Sequence, residues 1–193
     1  MLCEGERIRE PQGQLDELLS LADVVALSEG YARARAALEG SGDTAACEAR
    51  ALAWMASALP RARWISQSRG AQGALLIERA DGEPGVDEAA VESMVTALID
   101  ADAPLPRAGE LAVAECPDTD TRVWLAPAEL LSADELVDTT GAGDAFNGAL
   151  AYSLARGYAP ERALPLATHV AARACGALGA RAALPRAPCV AIG

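Results

Sequence analysis

The chain predicts an α/β fold with a mostly parallel central sheet wrapped by helices, and three features of its 193 residues carry that expectation. Short apolar runs of strand length alternate with segments whose apolar residues recur every three to four positions. One glycine turn, Gly70 to Gly73, separates two of the strand-like runs, and another, Gly141 to Gly143, stands where a helix is about to begin. Strand, helix, strand, glycine turn and helix in series bury the strands between helices and gather ligands at the strands' carboxyl ends. The length suffices for one compact domain with a real core.

Leu15 to Leu21 reads as a short amphipathic helix, Val24 to Leu27 as a buried strand, and Tyr31 to Leu38 as a helical turn or two. From Thr44 to Leu59, residues Ala45, Leu52, Met55, Ala56 and Leu59 share one face of a longer helix, which Pro60 closes. Trp64-Ile65 and Ala74 to Ile77 are strands on either side of the first glycine turn. Val86 to Ile99 is an amphipathic helix carrying Val91, Met94, Val95 and Leu98. The acidic, proline-punctuated stretch from Asp100 to Asp120 is expected to be a mobile loop, readable as a lid, a partner surface or a tolerated surface insertion. Pro127 to Leu136 leads back into the strand of the signature, followed by a helix from about Gly143 to Arg156, with Phe146, Ala149, Leu150, Ser153 and Leu154 at helical spacing and Gly157 as its stop. Pro160 opens the next helix, where a missing N–H does no harm. Pro165 is expected to shift that start or kink the helix before Leu166 to Leu178 packs its small residues close to the sheet.

The chemistry concentrates in Asp138-Thr139-Thr140-Gly141-Ala142-Gly143-Asp144-Ala145-Phe146. The first N–H groups of a helix have no internal partners and carry partial positive charge, so this turn can hold a phosphoryl oxygen. Asp144 should repel the phosphate that its neighbours attract, unless a substrate hydroxyl sits between them. The aspartate then accepts the hydroxyl proton while the amides stabilise the transferring group. Against this stands the plainer reading, in which Asp144 only caps the helix and the glycines form an ordinary loop.

That nine-residue run resembles the C-terminal signature of the PfkB, or ribokinase-like, family of carbohydrate kinases. Ala22-Asp23-Val24-Val25, the Gly-x-x-Gly strand pair from Ser68 to Leu76, and the tail from Gly179 to Pro185 extend the likeness. The stretch from Val170 to Arg181 looks most like the sugar-kinase-like members of plants and algae. The resemblance implies a three-layer ribokinase-like fold and an ATP- and Mg²⁺-dependent phosphotransferase acting on the hydroxymethyl group of a sugar or nucleoside. It makes Asp144 the base and Gly141, Ala142 and Gly143 the anion hole. Ser68, Gly70 and Gly73 would line the ATP phosphates and ribose, with Thr168 near the adenine. Asp138 and Thr140, with carbonyls of Ala174, Ala177 and Gly179, match positions that hold a monovalent cation, K⁺, in many members. Two departures accompany the match. The hydroxyl-bearing cation ligand falls on Ala183, so packing is an equal reading of that corner. The family's Asn-x-x-Glu motif falls on Ser28 through Tyr31, leaving Glu29 either to reach Mg²⁺ through water or to be a solvated surface residue.

The likeness covers the C-terminal, nucleotide-binding half of a family member. The expectation is therefore a partial domain over residues 1–193 with an insertion at about 81–121, lacking the N-terminal half, its sugar-binding residues and the lid. A catalytically silent nucleotide-binding or interaction module is the alternative, and an uncovered apolar edge implies self-association, as a homodimer. Composition narrows the partners. All sixteen basic residues are arginines and the net charge is −12, which argues against nucleic-acid and anionic-membrane surfaces. No apolar run approaches the roughly 20 residues of a membrane span, and Glu4, Glu6, Arg7 and Arg9 occupy the place of a leader's apolar core, so an intracellular, non-secreted protein is expected. The five cysteines are widely spaced without a Cys-x-x-Cys pair, excluding a disulfide scaffold or zinc site. Cys175 reads as a small core residue, and His169, the only histidine, either as a neighbour of the adenine or as a helix histidine without a task.

Overall fold

The computed structural model describes residues 2–5, 17–28, 30, 31, 34, 44–79, 86–100, 106, 107, 109–116 and 118–185. Within them β1 (Leu2–Gly5), β2 (Val24–Leu27), β3 (Trp64–Ser68), β4 (Ala74–Arg79), β5 (Ala112–Glu115) and β6 (Thr121–Ala126) form one sheet in the order β1-β2-β3-β4-β6-β5. Four helices accompany it: α1 (Thr44–Ala58), α2 (Glu88–Ile99), α3 (Ala142–Ala155) and α4 (Pro160–Ala174). Glu29, most of the expected helical turns at Tyr31 to Leu38, and the side chain of Ala45 lie outside the described residues.

Contacts divide the chain into two compact units. The first holds the sheet, apart from Ser68, Ala74 and Ala126 at strand ends, together with α1 and α2. β1, β2 and β3 run parallel, Leu2 opposite Val24 and Val24 opposite Trp64, as strands joined by returning segments must. The other half of the sheet is mixed, where a mostly parallel one is expected. β3 and β4 are an antiparallel hairpin, bonded at its two ends through Arg69 N–H to Gly73 O and Arg79 N–H to Arg63 O. β5 pairs antiparallel with β6, Ala112 opposite Leu125 and Glu115 opposite Arg122. This corrects the loop expected from Asp100 to Asp120, part of which is a sheet strand. Its half-exposed, alternating residues and the Pro and Asp around it hid a four-residue edge strand that only its partner stabilises.

In α1 the buried Ala49, Leu52, Ala53 and Ala56 follow the three-and-four spacing of one helix face. They join Val25, Leu27, Ile65, Leu75, Ile77, Val123 and Leu125 in the core of this unit. Arg79 is nearly buried at the last strand position of β4 and donates from Nη1 to the carbonyls of Leu59, at 3.1 Å, and Ala56, at 3.4 Å. It therefore satisfies oxygens at the end of α1 that have no helical donor. α2 begins at Asp87, whose carboxylate accepts the Ala90 N–H at 3.1 Å, and packs its buried Val91, Met94, Val95 and Ile99 toward α1 and β5.

The second unit contains the turn from Ser68 to Ala74 and the chain from Ala126 onward. α3 and α4 pack on each other, burying Ala145, Phe146, Ala149 and Leu150 of the first and Ala163, Leu164, Ala167 and Val170 of the second. Pro165 lies inside an unbroken α4 that starts at Pro160, so the expected shift of the start does not occur. So close to the helix start its missing N–H forfeits a single bond, to the carbonyl of Glu161 in the first turn. The strand expected at the signature is not formed either, because residues 127–141 reach α3 through turns and irregular backbone. α4 also stops at Ala174, short of Leu178, which is 80% exposed. The Cys175 carbonyl accepts the N–H groups of Val137 and Asp138, and Gly179 turns the chain at φ +88°. Among the described residues no helix is long and apolar enough to cross a membrane.

Candidate functional site

β6 delivers the chain to Pro127, and the glycine turn of the β3–β4 hairpin fixes the path of the backbone there. A Cβ on Gly73 would lie 2.0 Å from the Ala126 oxygen and 2.8 Å from the Ala128 nitrogen. Glycine is therefore demanded twice at this position, by contact and by its φ of +90°. The 310 turn Gly70–Gln72 beside it, Ser68, and the backbone of 126–128 become one wall.

The signature forms the opposite part of the site. Asp138 accepts the Thr140 N–H at 2.9 Å on one oxygen and the Gly179 N–H at 2.8 Å on the other. Hydrogen bonding from Thr140, then from Gly179, holds its carboxyl below the ordinary value of 3.8. This clamp ties the turn before α3 to the turn after α4. Gly141 then takes a left-handed φ of +80°, where a Cβ would meet the Ala180 Cβ at 2.5 Å. It is the N-cap of α3 and makes no side-chain cap, so no side chain shields the amides of the first turn. A Cβ on Gly143, by contrast, meets no protein atom within 4 Å.

A cavity of about 370 Å³ opens between these walls within the second unit. That volume falls in the range of small-molecule sites. Ser68, Gly70, Gly73, Thr139, Ala142, Gly143 and Thr168 all line it, so residues far apart in the chain and singled out by motif converge on one space. Thr168 lines the cavity from α4 and donates its hydroxyl to Pro165 O at 3.0 Å. Asp144 stands exposed in the first turn of α3 and is not among the lining residues. Thr140 is likewise exposed, Ala174 is buried in α4, and Ala177 and Gly179 are half-buried in the turns after it. Among the described residues no cluster of three or more His, Cys, Asp or Glu side chains could hold a metal ion.

Two participants are not legible in the motifs. Glu129 lines the cavity and meets His169 of α4, Oε2 to Nδ1 at 2.6 Å. The pair is separated by 40 positions, so no spacing signals it. Cys175, expected to be a core residue, is buried and also lines the cavity. Burial, and secondarily the charge of Asp138, push its thiol above the ordinary value of 9.0, which keeps it protonated and unreactive near neutrality.

Residues 125–187 match the family model of the pfkB family carbohydrate kinases. No curated protein matches the chain. Among solved structures it is similar to the ribokinase from Thermotoga maritima, at 21% identity and a TM-score of 0.54, over 91% of this chain and 43% of that one. It is similar to the Burkholderia thailandensis nucleoside kinase in complex with inosine, at 18% identity and a TM-score of 0.55, over 92% and 41% of the two chains. The Arabidopsis thaliana ribokinase complexed with ribose and ATP gives 20% identity and a TM-score of 0.54, over 91% and 41%. The fold is thus ribokinase-like, with a pfkB segment over residues 125–187, and the chain spans less than half the length of these structures.

Proposed function

We propose that the second unit is the nucleotide site of an ATP- and Mg²⁺-dependent phosphotransferase that phosphorylates a hydroxymethyl group of a sugar or nucleoside. The observation that carries this reading is the cavity itself, in which the uncapped start of α3 faces the glycine turn of the β3–β4 hairpin and Thr168. In this reading Gly143, and Ala142 by exchanging its 3.2 Å bond to the Thr139 carbonyl, offer backbone N–H groups to the terminal phosphate, with Gly141 shaping their approach. Ser68, Gly70 and Gly73 bound the phosphates and ribose, and the base lies along α4 near Thr168. Asp144, in the same first turn, takes the proton of the attacking hydroxyl. Its exposure suits a group that must reach an acceptor arriving from outside the cavity. Mg²⁺, if bound, would neutralise phosphate charge, and Glu29, the residue that would reach it through water, lies outside the described residues. Asp138 serves as the clamp under the anion hole. A potassium ion on the carbonyls of Ala174, Ala177 and Gly179 would be a further ligand of that corner, tested by exchanging K⁺ for Na⁺.

The decisive assay measures nucleotide affinity and ADP release over a panel of sugars and nucleosides. Asp144→Asn should bind Mg²⁺-ATP as wild type does while phosphoryl transfer falls at least ~100-fold. Full transfer by Asp144→Asn removes the proposed base. A second reading is a nucleotide-binding module without transferase activity, favoured by Ser28, Tyr31 and Ala183 standing where the family's pattern has its magnesium-organising and cation-binding residues. It is distinguished by tight ATP binding with no turnover for any acceptor.

A further inference from the structure

Among the described residues Glu129 is the single charged one lining the cavity, which puts a carboxylate in the wall of a site read as holding a triphosphate. Its placement resolves the conflict. His169 lies six residues before Cys175, whose carbonyl anchors Val137 and Asp138 at the signature turn. At 1.5 Å per residue, His169 stands about 9 Å along the helix from Cys175, the residue that anchors the signature turn. At that remove the carboxylate stands where a base, not a phosphate, would lie.

Its position is also fixed. Gly73 pins the backbone of 126–128 immediately before it, and His169 holds Oε2 at 2.6 Å, the length of a charge-assisted bond. A carboxylate accepts through two oxygens, and His169 accounts for one donor. The lining residues Leu131, Ala171 and Ala172 are apolar and bring no competing side-chain donor. The Glu129 side chain is 37% exposed, and an oriented acceptor at a part-open wall still discriminates ligands by whether they present a donor to it.

We propose that Glu129, positioned by His169, selects the nucleotide by accepting a hydrogen bond from the exocyclic amino group of its base, the 6-amino group in ATP. The proposal rests on the nucleotide reading above and adds base selection to it. It is tested by a cycle of two ligands and two proteins, with affinities for Mg²⁺-ATP and for purine riboside 5′-triphosphate, which lacks the amino group, measured by titration calorimetry. Wild type should bind ATP roughly tenfold more tightly than the analogue, and Glu129→Leu should bind the two alike. Glu129→Gln, which keeps an acceptor oxygen and the side-chain shape, should retain a preference and guards against a folding artefact. A preference of equal size in wild type and Glu129→Leu overturns base selection while leaving nucleotide binding intact. Failure of wild type to bind either triphosphate overturns the nucleotide reading and this inference with it.

Discussion

Gly141 and Gly143 stand two residues apart in the same turn, yet alanine at each should move stability in opposite directions. At Gly141 the backbone sits at φ +80°, a left-handed conformation that costs a residue with a Cβ about 1–2 kcal/mol. The added carbon also meets Ala180, its Cβ at 2.5 Å and its backbone Cα at 2.9 Å. Neither is the far end of a flexible side chain, so relief requires a backbone shift, about 1–3 kcal/mol by analogy with overpacking. The sum, about 2–5 kcal/mol, corresponds to a fall in Tm of roughly 4–20 °C for a chain of this size. At Gly143 the added carbon meets nothing within 4 Å, and alanine in a helical turn is favoured over glycine by up to about 1 kcal/mol. Gly143→Ala should therefore melt at or slightly above the wild-type temperature. If the turn receives phosphate, the same methyl group blocks the approach of the ligand, and ATP affinity should drop by at least about tenfold, or ~1.4 kcal/mol. Thermal denaturation and calorimetric titration of the two variants separate the effects. Gly143→Ala that is stable and binds ATP as wild type does would refute the phosphate role of the turn. Gly141→Ala that melts with wild type would refute the steric argument.

Arg79→Met keeps an apolar stem but removes the donor to the Leu59 and Ala56 carbonyls, and should lower stability by about 1.5–3 kcal/mol in urea unfolding without changing nucleotide affinity. For Asp138, hydrogen bonds depress the folded carboxyl below 3.8, so its stabilising contribution is present above that value and is lost as pH falls through the still lower folded value. The stability difference between wild type and Asp138→Asn should accordingly be constant near neutrality and shrink below about pH 4, measured by urea unfolding across pH. Among the described residues no Arg lines the cavity, and the sequence contains no lysine, so chelation of Mg²⁺ should weaken ATP binding strongly while leaving ADP less affected. Titrations with and without EDTA check this.

How much the sequence disclosed depends on whether the signal was local. The signature announced its own helix because Gly141, Gly143 and the spacing of Phe146, Ala149 and Leu150 all act within one turn or two, and the observed α3 differs by one residue at each end. The α1 face and the β2, β3 and β4 strands were legible for the same reason. β5 was not, because its residues alternate half-exposed and exposed and gain strand character only opposite β6. Pro165 misled because the rule against interior proline is a statement about the hydrogen bond lost, and near a helix start little is lost. Ser68, Gly73, Gly143 and Thr168, each named from a local motif, line one cavity, whereas Glu129 with His169 and Arg79 with α1 are pairings that only the folded chain creates.

Three acidic residues surround a turn suited to anions, and each is reconciled with it differently. Asp138 points both oxygens at amides, so its charge is spent on organising the loop rather than opposing a ligand. Glu129 is matched by His169 and set away from the phosphate end along α4. Asp144 alone is neither clamped by such bonds nor enclosed in the cavity, and it sits in the turn whose dipole favours a negative charge. In the proposed reading one turn of helix would supply both a proton acceptor and an oxyanion site, the combination that phosphoryl transfer to an alcohol requires.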